Sequence, residues 1–110
     1  MVMSVDSDVN GAVDVLKAVA DPLRMQILTL LAREALCTSH LVEETGAKQT
    51  NLSNHLKILR EAGLVDTEPC GRFTYYKLRP EAVDSLASLL GDLAATARAT
   101  ACADTKRACP

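Results

Sequence analysis

A mostly α-helical fold with one small β-hairpin is predicted, and three observations carry it. Apolar residues recur at helical spacing over most of the 110-residue chain. Glycine and proline punctuate that pattern at Pro22, Gly46, Gly63, Gly71 and Pro80. The chain's only aromatic residues, Phe73, Tyr75 and Tyr76, sit together in one short stretch after the period changes at Gly63. The first helix is expected from about Asp8 to Ala20, with Val9, Val13, Leu16 and Val19 as its apolar stripe. Asp21-Pro22 reads as an N-cap followed by proline at the first helical position, where a missing N–H does no harm. It starts a second helix to about Glu34, carrying Leu23, Ile27, Leu28, Leu30 and Leu31. A short third helix begins with Thr38 or Ser39 as cap and stops at Gly46. A fourth spans about Lys48 to Ala62, with Leu52, Leu56 and Leu59 as its buried stripe and Gly63 at C′. Leu64 to Glu68 then reads as a strand, Pro69-Cys70-Gly71 as a turn and Arg72 to Leu78 as a second strand. Such a two-stranded hairpin is marginal alone and needs a helix to pack on. Pro80 opens a last helix with Val83, Leu86, Leu89, Leu90, Leu93 and Ala97 on one side, fraying near Ala99. The expected organisation is a flexible N-terminus over residues 1–8, one folded domain over 9–100 and a cysteine-containing tail over 101–110.

Composition narrows the class. With 48% hydrophobic and 24% charged residues in 11.8 kDa, the chain is an ordinary single globular domain rather than a disordered one. Its four cysteines fall short of a disulfide scaffold. No apolar run is long enough to span a membrane, and the start, which carries Asp6, does not read as a signal peptide. A cytoplasmic protein with reduced thiols is therefore expected. The net charge of −2 hides an asymmetry. Residues 48–79 hold Lys48, Lys57, Arg60, Arg72, Lys77 and Arg79 against Glu61, Asp66 and Glu68, while both flanking stretches are net acidic. A basic middle in an acidic chain suggests one face for a polyanion.

A short helix, a tight turn and a longer polar helix, followed by a hairpin, make a winged helix-turn-helix. The fourth helix would enter the major groove. Its open side offers Lys48, Gln49, Thr50, Asn51, Ser53, Asn54 and His55, short polar groups suited to base edges. Lys57 and Arg60 are placed for phosphates, and Arg72, just past the wing tip, for the backbone or minor groove. No nucleophile–base–orienter set, glycine-rich phosphate loop or paired-carboxylate pocket can be placed, so an enzyme is not expected. DNA binding by itself requires no cofactor.

Leu16-Lys-Ala-Val-Ala-Asp-Pro-Leu-Arg-Met-Gln-Ile-Leu28 resembles the opening signature of the ArsR/SmtB family of metal-sensing repressors. Gln49-Thr-Asn-Leu-Ser-Asn-His-Leu-Lys-Ile-Leu-Arg-Glu-Ala-Gly-Leu-Val65 resembles its recognition helix and first strand, and Gly71-Arg-Phe-Thr-Tyr-Tyr-Lys-Leu78 its wing. The resemblance covers about residues 10–98. It implies a homodimer that sits on operator DNA when empty and leaves when an inducer binds, with Gln49, Asn51, Ser53, His55 and Arg72 at the matched DNA positions. Independently, apolar stripes on the first and last helices could be buried by pairing across a two-fold axis, which would set two reading helices about 34 Å apart for a palindromic site.

Within that resemblance, the last-helix site of zinc sensors needs histidines that residues 80–98 lack, and the cadmium and lead sites on the recognition helix need cysteines absent from residues 48–62. The arsenic motif Cys-Val-Cys-Asp is matched by Cys37-Thr-Ser-His40, which keeps the first thiol and replaces the second by Ser39. Trivalent arsenic or antimony takes three thiolates. Cys102 and Cys109 with Cys37 as third ligand, from either protomer, are the expected set, and Cys70 at the wing tip is the expected bystander. His40 beside a thiolate could alternatively suit zinc. Two other classes stay open, a thiol redox sensor in which Cys102 or Cys109 forms a disulfide, and a winged-helix interaction module without DNA.

Overall fold

A computed structural model describes residues 5–103 and 106–109. The elements are α1 (Val5–Val19), α2 (Pro22–Leu31), β1 (Leu36–Cys37), α3 (Thr38–Thr45), α4 (Gln49–Glu61), β2 (Val65–Cys70), β3 (Phe73–Leu78) and α5 (Pro80–Ala103). The five helices and the hairpin stand in the expected order. Helix α1 begins at Val5, ahead of the expected start near Asp8, and residues 1–4 lie outside the described residues. Helix α2 stops at Leu31 rather than near Glu34, because the chain must turn to lay down β1.

That strand is the main addition to the expected fold. Leu36 pairs with Tyr76 and Cys37 with Tyr75, so the sheet has three antiparallel strands in the order β1-β3-β2 rather than two. Two residues are too short a run to show a period in the sequence. The hairpin turn is also tighter than expected. Pro69 and Cys70 belong to β2, pairing with Thr74 and Phe73, and Gly71-Arg72 alone make the turn. Gly71 has φ +62, a left-handed conformation that only glycine adopts cheaply and that short hairpin loops require. Pro69 is tolerated because β2 is an edge strand.

The core is one cluster. Ile27, Leu28 and Leu31 of α2 meet Leu41 of α3, Leu52, Leu56 and Leu59 of α4, and Leu64 and Val65 at the start of the wing. The stripes expected for α2 and α4 are therefore the buried ones. Helix α1 differs: it buries Ala12, Val15 and Ala18, while Leu16 from the expected stripe is 42% exposed. Small alanines let α1 lie close to the body, a fit that hydrophobic size alone hides. Helix α5 runs on to Ala103 instead of fraying near Ala99, so Cys102 belongs to its last turn. Val83, Leu90 and Leu93 of α5 are exposed in the single chain.

Candidate DNA interface and thiol site

Helix α4 owes its open face to its pattern. Leu52, Leu56 and Leu59 fall on one side and are buried, so the residues between them must point away. Lys48, Gln49, Thr50, Asn51, Ser53, Asn54 and Lys57 are all exposed. Lys48 is the N-cap and contributes no side-chain cap, leaving the first N–H groups of α4 open. His55 stands apart from this set. It is half-buried, and its Nδ1 accepts a hydrogen bond from Arg24 Nε at 3.0 Å. On the helical wheel it lies toward α2, a position that sequence spacing alone does not separate from the exposed face.

The wing sorts its cations. Lys77 pairs with Glu68 at 2.6 Å, and Arg79 lies 3.5 Å from Asp66 and 2.9 Å from Glu81. The Glu81 hydrogen bond, then the nearby Asp66 charge, raise the Arg79 guanidinium's pKa above its ordinary value. Among the described residues, Lys48, Lys57, Arg60 and Arg72 have no ion pair. The basic surplus left over is thus gathered on α4 and at the wing tip, where Arg72 occupies the turn itself.

Cys37 occupies a structural junction. It is the N-cap of α3, displacing the expected Thr38 or Ser39, and it is buried. Its backbone N–H donates to His40 Nδ1 at 3.3 Å, and its Sγ lies 3.4 Å from the same nitrogen. The His40 ring in turn packs against Tyr75, centroids 6.1 Å apart. Because Cys37 also pairs with Tyr75 in the sheet, this one residue joins the start of the helix-turn-helix to the wing.

A cleft of about 270 Å³ brings the two kinds of expected residue together: Cys37, Thr38 and Ser39 at the start of α3, Gln49 at the start of α4, and Arg72, Phe73 and Thr74 from the wing line it. Thr38, Ser39 and Thr74 were not legible as site residues; for Thr38 and Ser39 a hydroxyl at a helix start is the only signal, and it is common, while Thr74 reads only as a strand residue. Cys70, Cys102 and Cys109 are exposed free thiols. Among the described residues no three His, Cys, Asp or Glu side chains converge, so Cys37, Cys102 and Cys109 do not meet within one chain.

Fold and exposed surface together define a winged helix-turn-helix DNA-binding regulator. Residues 21–67 match the family model described as bacterial regulatory protein, arsR family. The chain is 41% identical over 73 residues to the arsenical resistance operon repressor of Bacillus subtilis (strain 168), covering 66% of this chain and 70% of that protein. It is 34% identical over 92 residues to the arsenical resistance operon repressor of Staphylococcus xylosus, covering 84% and 88%. A crystal structure of a possible transcriptional regulator for arsenical resistance superposes with a TM-score of 0.68 at 31% identity, covering 86% of this chain and 98% of the other. The chain belongs to the ArsR family. Among the described residues no helix is long and apolar enough to cross a membrane.

Proposed function

We propose that this protein is a homodimeric repressor that binds a palindromic operator and is released by a thiol-binding inducer, trivalent arsenic or antimony. The single observation that carries the reading is the shared cleft, which the buried residue Cys37 lines together with Gln49 and Arg72. The arsenical resistance relatives support the choice of inducer. Lys48, Gln49, Thr50, Asn51, Ser53 and Asn54 read the major groove, Lys57 and Arg72 hold phosphates, and His55, on the reading helix itself, accepts a hydrogen bond from Arg24 of α2.

The chemistry is ligand exchange without a change of oxidation state. Each thiol of Cys37, Cys102 and Cys109 replaces one hydroxide on arsenite, and its proton leaves with that hydroxide as water. Soft thiolates favour such an ion. The three thiols do not converge among the described residues of one chain, so capture within one protomer must draw the last turn of α5 toward the cap of α3, while capture across two would take the missing thiols from the partner. An inducer acts only through such a difference between states. Movement of Cys37 would reach the wing directly through its pairing with Tyr75 and reach α4 through α3.

The test is operator release, followed by fluorescence anisotropy under strong reductant. The probe is a palindromic duplex selected by the wild-type protein from a random-sequence pool. Arsenite is expected to release wild type, while Cys37→Ser, Cys102→Ser and Cys109→Ser bind DNA normally and resist release. Release that needs oxidant and not arsenite would move the assignment to a thiol redox sensor on the same scaffold. Release that survives both tail substitutions would remove the tail from the site.

A further inference from the structure

Arg24 is a half-buried cation on α2 that makes no ion pair at contact distance among the described residues, although the nearby Asp21 carboxylate feels its charge. Its Nε donates to His55 Nδ1 of α4 at 3.0 Å, and its Nη1 donates to the carbonyl of Ala18, in the last turn of α1, at 3.2 Å. One planar guanidinium thus touches three helices. Its own backbone N–H donates to Asp21 Oδ2 at 3.1 Å, the carboxylate that caps α2. The anchor point is therefore itself held in place.

From this geometry, and resting on the DNA-reading role proposed above, we infer that Arg24 and His55 are positioning residues. They key the reading helix α4 to the α1–α2 corner, and they touch no DNA. The core holds α4 through Leu52, Leu56 and Leu59, a smooth apolar stripe that resists separation but resists sliding and rolling less. A directional hydrogen bond at the edge of that stripe fixes the remaining freedom. Base readout depends on it, because a helix rolled slightly out of register misses its base edges. Arginine suits the position because its fork presents Nε and Nη1 in two fixed directions, whereas lysine offers one flexible point. His55 can accept there only in the neutral tautomer that carries its ring proton on Nε2.

A double-mutant cycle on the selected duplex tests this. Arg24→Lys and His55→Ala should each weaken binding by about tenfold, the scale of one charge-assisted hydrogen bond. The double variant should be no weaker than either single one. His55→Asn places an amide oxygen where Nδ1 stood and should restore most of the affinity. In all four, the dependence of log K on log salt should keep its wild-type slope, because no phosphate contact is lost. Additive losses, or His55→Asn as weak as His55→Ala, would overturn the inference in favour of direct contact by His55. A slope reduced by about 0.9 in Arg24→Lys would place Arg24 on a phosphate instead. Nitrogen NMR of the His55 ring reads the contact without DNA. An unprotonated Nδ1 in wild type that loses its bias in Arg24→Lys is expected, and a protonated Nδ1 in wild type overturns the inference. Failure of the wild type to select any duplex would instead count against the DNA-reading role, and the ring spectrum would still decide the contact.

Discussion

Asp21 shows how much one residue can announce. Asp21-Pro22 was legible as a helix start, and the carboxylate indeed accepts from the backbone N–H groups of Leu23 and Arg24. The Arg24 N–H bond first, then the nearby His55 and the Leu23 N–H, outweigh desolvation and hold its pKa below the ordinary carboxylate value. A depressed folded-state pKa contributes stability that is present above the unfolded value and is lost as pH falls through the folded one. Thermal melts of wild type and Asp21→Asn should therefore differ at neutral pH, with wild type the more stable, and converge in acid below the usual Asp range. A gap that persists unchanged in acid would rule out the charged cap as its cause. Cys37 shows the opposite limit. Its thiol was legible as a candidate ligand, but its work as the N-cap of α3 and as a strand residue was not, because cysteine is no preferred cap and the strand pairing depends on Tyr75, far along the chain.

At the scale of elements, α2, α4 and the hairpin were readable because their buried leucines and their glycines speak locally. Gly46 and Gly63 both adopt positive φ at helix ends, +71 and +78, as their positions suggested. The two-residue β1 was invisible, and the face that α1 buries was misread because alanine packs where leucine was expected. The same scale decides which charges meet DNA. A cation already held by a carboxylate releases little on binding a phosphate, whereas an unpaired one displaces a counterion from the duplex. Arg72→Ala should reduce the slope of log K against log salt by about 0.9, while Lys77→Ala, which removes the partner of Glu68, should leave it near wild type. Equal effects of the two substitutions would show that the wing lies on DNA by its flank and not its tip.

The molecule as a whole is elongated, 62 × 34 × 25 Å with a radius of gyration of 18.3 Å, against about 13 Å for a compact domain of this length. The 24 residues of α5 account for it, since they span about 36 Å and outrun the body they start from. Leu90 and Leu93, 48% and 63% exposed, continue along α5 the apolar surface that Val83 begins. A second copy covering that surface is the arrangement the dimer proposal requires. Leu90→Asp with Leu93→Asp should halve the mass measured by sedimentation equilibrium and weaken operator binding by about a hundredfold or more, as one reading helix replaces two on the duplex. A variant that stays dimeric would move the interface elsewhere. The apolar stripe of α5 was readable in the sequence; that it finds so little cover within its own chain was not, since periodicity reports which face is apolar and not what meets it. The sheet has its own bearing on assembly. With β3 enclosed on both sides, the long free border is β2, where Pro69 withholds an amide and Asp66 and Glu68 place charged side chains along the edge. Neighbours crowded side by side along a chromosome are thereby denied a route to fuse into a continuous ribbon.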